Sequence, residues 1–147
     1  MKDSISIYKI SMVKEGEIQS PLGQRISNPD ESARMLMEYF KGWDRELFVV
    51  VLLDIRHKII GLNLVSMGCL HSSIVHPREV FKPAIIGSAA AIIVSHNHPS
   101  GDPEPSAEDI ALTRRLSAGG ILLGIELLDH LVIGDGRYVS LKNRGVL

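Results

Sequence analysis

Two histidines stand one residue apart in "SHNHPSGDPEPSAED", Ser95 to Asp109, and a serine and an aspartate follow them at short range. On an extended chain, residues i and i+2 face the same way with Cα atoms about 6.6 Å apart. His96 and His98 can therefore turn both imidazoles on one ion at bonds of about 2.0–2.1 Å. Asp109 falls in the first turn of an expected helix, where its carboxylate can point back at the same ion. Two neutral imidazoles, one carboxylate and an open fourth position form a catalytic rather than a structural zinc pattern. Water bound at such a site has its pKa lowered to about 7. A carboxylate outside the ligand set is the usual group to hold that water and take its proton.

The same residues carry plainer meanings. Ser106-x-x-Asp109 is a capping box, with Ser106 as N-cap and Asp109 at the third helical position. His-x-His alone can be a polar strand end. The conjunction is more telling: four specified positions match by chance in a chain of this length with odds of order one in a thousand. Capping and ligation are also compatible, since Ser106 can start the helix while its hydroxyl faces the site.

The elements around these residues follow from periodicity. "AAAIIVSHNH" reads as a central buried strand carrying the histidines, and "SAEDIALTRRLSAGG" as a helix closed by its Gly pair. The three prolines between them stiffen the connecting loop. Upstream, "SISIYKISMV" alternates polar and apolar residues and predicts a half-buried strand. Asn28-Pro29 opens a helix that ends near Gly42. "ELFVVVLLD", Glu46 to Asp54, is a strand buried on both faces, "IIGLNLVSMG" its return, and "CLHSSIV" a third strand. "HPREVFKPAIIGSA" is a helix entered through His76-Pro77 with Pro83 inside it. "ILLGIELLDHLVIGD" gives one long or two short strands, and "GRYVSL" a last one. The order β-α-β-β-β-α-β-α-β-β describes an α/β (α+β) domain, a mixed sheet with flanking helices. It carries neither a dinucleotide nor a P-loop fingerprint.

The whole chain sets broad bounds. Its 147 residues suit one domain. A net charge of −1 gives no global basic footprint for nucleic acid. A single cysteine, Cys69, rules out an internal disulfide and any CxxC site, which fits a reducing, cytoplasmic setting. The N-terminus has no apolar run of signal-peptide length, and no run is long enough to span a membrane.

"HNHPSGDPEPSAED" resembles the JAMM motif of the JAB/MPN metalloprotease family. "VHPREVFKPAII" and "LGIELLDHLVIGD" make the chain similar to the RadC branch over Asn28 to Leu141. The resemblance implies the JAB/MPN, cytidine-deaminase-like architecture over residues 28–147, preceded by a strand-and-loop extension over residues 1–27. It implies one Zn²⁺ held by His96, His98 and Asp109. It implies Ser106 as donor to the water or oxyanion, and a glutamate on an early strand as general base. Glu46 matches that position, and Glu79 in "HPRE" is its rival. The other reading of Glu46 is a strand-edge carboxylate paired with Arg45; that of Glu79 is helix-dipole compensation. The expected activity is zinc-dependent hydrolysis of peptide or isopeptide bonds in a peptide or protein substrate. The alternatives are a repair-associated metal-dependent nuclease and a non-catalytic metal-binding module. Full-length relatives of that branch carry a helix-hairpin-helix region ahead of this domain. Only 27 residues precede the first helix here, which weakens an expectation of DNA binding.

Lesser candidates complete the reading. His130 is either a core histidine with its hydrogen bonds satisfied, the preferred reading, or a group behind the ligands together with Asp129. His76 is expected as a cap, His57 and His71 as solvated, Cys69 and Trp43 as buried. Arg114 and Arg115 are read as a solvated helix face or a contact for an acidic substrate.

Overall fold

The computed structural model describes residues 1–20, 25–68 and 75–147. Among the described residues, three helices, α1 (Pro29–Phe40), α2 (Pro77–Ile86) and α3 (Ala107–Leu123), flank five strands, β1 (Glu46–Leu53), β2 (Ile59–Gly68), β3 (Ala91–Asn97), β4 (Glu126–Ile133) and β5 (Tyr138–Ser140). The sheet order is β2-β1-β3-β4-β5. β3 runs antiparallel to β1 and parallel to β4, and α3 makes the crossover between the two parallel strands. A mixed sheet with helices on both faces is thus observed as expected.

Alternate residues of the central strands separate two cores. Leu47, Val49, Val51 and Leu53 of β1 and Ala91 and Ile93 of β3 pack with Ala33, Leu36 and Phe40 of α1. Phe48, Val50, Leu52, Ile92 and Val94 face the other way, onto Val80, Phe81 and Ala84 of α2 and Leu116 of α3. The continuous apolar run of β1 is explained by this double cover.

The helix starts follow their caps. Asn28 accepts a hydrogen bond from Glu31 N–H at 3.0 Å, and Pro29 fills a position that needs no donor. At α2 the His76 ring accepts from Arg78 N–H at 3.1 Å ahead of Pro77. Pro83 is accommodated inside α2.

Three sequence expectations are corrected. Residues 4–13 form no strand: they are exposed, without regular structure, because alternation yields a strand only where a sheet edge pairs with it. Helix α3 does not stop at Gly119-Gly120 but runs to Leu123, so "ILL" is helical rather than part of a strand. Its left-handed terminator is Gly124, with φ 71°. Gly120 serves instead for close packing, since a Cβ there would run into the Ile125 carbonyl oxygen. Trp43, expected to be buried, is 42% exposed in the turn after α1. The expected strand over residues 69–75 and the readings of Cys69 and His71 lie largely or wholly outside the described residues.

Candidate metal centre

β3 delivers its histidines at the end of its apolar row. His96 follows Ile92 and Val94 on the α2/α3 face, is 1% exposed, and pairs across the sheet with Phe48, whose ring stacks on it at 5.9 Å. Glu46 opens β1 two residues before Phe48. The ligand atoms of Glu46, His96 and His98 all lie within 4.8 Å of one another. The Nε2 atoms of His96 and His98 are 3.1 Å apart. Asp109 Oδ2 is 3.3 Å from the first and 3.5 Å from the second, and Glu46 Oε1 is 3.8 Å from His96 Nε2.

Loop and helix bring Asp109 to this point. After His98 the chain turns through Gly101, with φ 90°. His98 N–H donates to Ile133 O at 2.8 Å and Asp135 N–H to Gly101 O at 2.9 Å, tying the loop to the end of β4. Gly134 must be glycine here, because a Cβ would collide with the Gly101 carbonyl oxygen and Pro103. The capping box is formed: Asp109 N–H donates to Ser106 Oγ at 3.0 Å and Ser106 N–H to Asp109 Oδ2 at 2.8 Å. The cap uses a lone pair of Ser106 Oγ, not its hydroxyl proton. One carboxylate oxygen of Asp109 therefore caps the helix and faces both imidazoles.

The electrostatics follow from this crowding. Burial alone would raise the Asp109 pKa, but the His96 and His98 imidazoles beside it reverse the effect and hold the carboxyl well below the usual range. The hydrogen bond with Asp109 raises the His98 pKa against the effect of burial. The His98 Nδ1 faces the Asp102 carbonyl oxygen at 2.8 Å, an acceptor only, so Nδ1 carries a proton and Nε2 is turned to the centre. Two imidazole nitrogens and two carboxylates thus converge as lone-pair donors. That set suits a divalent cation with borderline-soft preferences, and Glu46, His96 and His98 could hold one.

The other sequence candidates separate cleanly. Glu79 lies in the first turn of α2, where Lys82 pairs with it at 2.7 Å and lowers its pKa. It is no member of the cluster, whereas its rival Glu46 is. Arg114 and Arg115 are exposed, and His57 occupies an exposed turn with φ 60°. Asp129 is buried and accepts from Ser140 Oγ at 2.6 Å and from the His130 and Lys142 N–H groups, tying β4 to β5 rather than bonding the His130 ring. His130 is fully buried, yet it is more than a core residue: its Nε2 lies 2.8 Å from His96 Nδ1. Burial holds its pKa well below the ordinary imidazole value.

Two residues near the site were not read from the sequence. Asn97, the middle residue of His-x-His, accepts from Leu47 N–H at 2.7 Å and donates to Arg45 O at 3.0 Å, bracketing Glu46. Thr113, one turn beyond Asp109, lies 2.6 Å from His130 Nδ1. The only local signal for Asn97 was a polar side chain inside a buried strand; Thr113 gave none.

Residues 26–146 match the family model of the RadC-like JAB domain. The chain is 56% identical over 122 residues to a UPF0758 protein of Desulfitobacterium hafniense, covering 83% of this chain and 54% of that protein. It is 49% identical over 150 residues to a UPF0758 protein of Moorella thermoacetica, covering 94% and 66%. It is 45% identical over 140 residues to a counterpart in Methanosarcina mazei, covering 95% and 61%. The chain belongs to the RadC-like JAB domain family. It spans little more than half the length of several of the relatives it matches. Among the described residues, no helix is long and apolar enough to cross a membrane.

Proposed function

We propose that this domain is a zinc-dependent hydrolase of peptide or isopeptide bonds. The observation that carries the reading is the convergence of His96 and His98 with two carboxylates, Glu46 within the same 4.8 Å cluster and Asp109 at 3.3 and 3.5 Å from the two imidazoles. His96, His98 and Asp109 would hold the ion, which when bound supplies Lewis acidity and brings the pKa of water to about 7. Glu46 is the general base. Its side chain is 23% exposed, so it meets both solvent and the buried ring of His96. It takes a proton from the attacking water and passes it to the leaving amine. The Ser106 hydroxyl, whose proton the helix cap does not use, donates to the oxygen that gains charge as the carbonyl is attacked.

The test is Glu46→Gln, assayed for zinc per chain and for cleavage of an internally quenched peptide library. The expected result is zinc retained with turnover lowered by about 10²–10⁴-fold. Full turnover in the variant would refute the base assignment. Zinc lost from the variant would make Glu46 a fourth protein ligand and the site a closed, structural one.

A further inference from the structure

We infer that Thr113 and His130 are positioning residues that fix the tautomer of His96, so that its Nε2 lone pair is presented to the metal. This rests on the metal reading above, but its basis is a proton count in the chain itself.

The count starts at an atom that can only accept. The Thr113 hydroxyl lies 2.6 Å from the Asp109 carbonyl oxygen and must donate to it. A hydroxyl has one proton. Towards His130 Nδ1, at 2.6 Å, the same oxygen can then only accept, so Nδ1 of His130 carries hydrogen. The ring is fully buried, and a buried imidazole is neutral unless a charge partner compensates it. Its Nε2 is therefore a bare lone pair, and the neighbour at 2.8 Å, His96 Nδ1, must be the donor. With the proton on Nδ1, the nitrogen facing Asp109 and His98 is the one free to bind metal.

Metal-binding histidines usually donate their second N–H to a carboxylate or carbonyl, which sets the tautomer directly. His98 follows that pattern through Asp102 O. His96 donates instead to a second histidine, which alone could be either donor or acceptor. Thr113 removes that ambiguity, and its own direction is set by the main chain of Asp109. Helix α3 thus supplies a carboxylate for the centre and, one turn later, the hydroxyl that orients the opposite imidazole.

Two measurements decide the matter. The first is long-range ¹H–¹⁵N correlation on metal-free wild-type protein at about pH 8, above the ordinary imidazole pKa of about 6.5. His96 and His130 should both appear as Nδ1–H tautomers. The second is zinc affinity by chelator competition. Thr113→Val keeps the side-chain shape but lets His130 adopt the reversed tautomer, and should weaken zinc about 10–100-fold. Thr113→Ser should restore most of the affinity. An Nε2–H tautomer at either histidine in the wild type, or wild-type affinity in Thr113→Val, overturns the proposal. Should Thr113→Val fail to fold, the wild-type spectrum decides alone. A wild type that binds no zinc removes the metal reading, while the tautomers still report whether the relay has the stated direction.

Discussion

Residues 95 to 98, at and just past the end of β3, point alternately to its two faces, and the faces use polar groups differently. Ser95 and Asn97 bond to main chain: Ser95 Oγ donates to Leu131 O at 2.7 Å, and Asn97 clasps the backbone on either side of Glu46. His96 and His98 turn their Nε2 atoms to each other and to the carboxylates, although His98 also holds main chain through Nδ1 and Asp102 O. Both pairs lie at the end of the same apolar strand. A polar group bonded to backbone sets where the strands sit, whereas one bonded to other lone-pair donors makes a site that a cation can complete. Chemistry and scaffold therefore alternate residue by residue.

The contrast can be broken most sharply on the histidine face. His96→Ala and Asp109→Ala should each abolish the roughly one zinc per chain expected for a mononuclear site, measured by metal analysis of tag-free protein. Ser95→Ala should keep the metal and lower stability by about 1 kcal/mol in denaturant unfolding. Zinc lost equally from all three would erase the distinction between the faces.

Asn97→Ala tests the scaffold side where it touches function. It leaves the buried Leu47 N–H without its partner, at a cost of about 1–3 kcal/mol, and releases the backbone that carries Glu46. Turnover should fall while zinc content holds. A variant with normal turnover would mean that β1 pairing alone sets Glu46.

The smallest effect concerns pH in metal-free protein. His98 has its pKa raised by Asp109, so the protonated imidazole stabilises the fold. That contribution is fully present below the unfolded value of about 6.5 and is lost as pH rises through the raised value. Zinc competes with the same proton, so zinc affinity should grow across that window. Melting temperature against pH, with and without zinc, should show curves that diverge as pH rises. Parallel curves would count against the His98–Asp109 pairing.

What could be read from the sequence was what lies close along the chain. The His-x-His spacing, the Ser106 cap, the Asn28-Pro29 start and the His76 cap each depend on neighbours within a few residues. His130 could not be placed in that way. Leu127 faces the α2/α3 core, while Leu131 and Ile133 face the α1 core. The switch occurs where the β3–β4 register shifts, Ile92 pairing with Leu127 and Ile93 with Asp129. A one-residue irregularity moves the residues beyond it to the other face. That shift brings His130 to the metal-centre side, and nothing in "LLDHLVIG" announces it. The segment over residues 4–13 failed in the opposite sense: its alternation was plain, but among the described residues no strand pairs with it.

The proposed ligands also differ in how far the polypeptide must be organised before they can act. His96, His98 and Asp109 fall within a span of fourteen residues, whereas Glu46 is fifty residues from His96. A chelate of the first three closes only short loops, which have a low entropic cost. If these three bind zinc as proposed, the unfolded chain would retain part of that affinity, and affinity for unfolded protein subtracts from the stabilisation that binding confers on the native state. On the proposed assignment the three close-set ligands belong to the end of β3 and the start of α3, while Glu46 reaches them only through the pairing of β1 with β3.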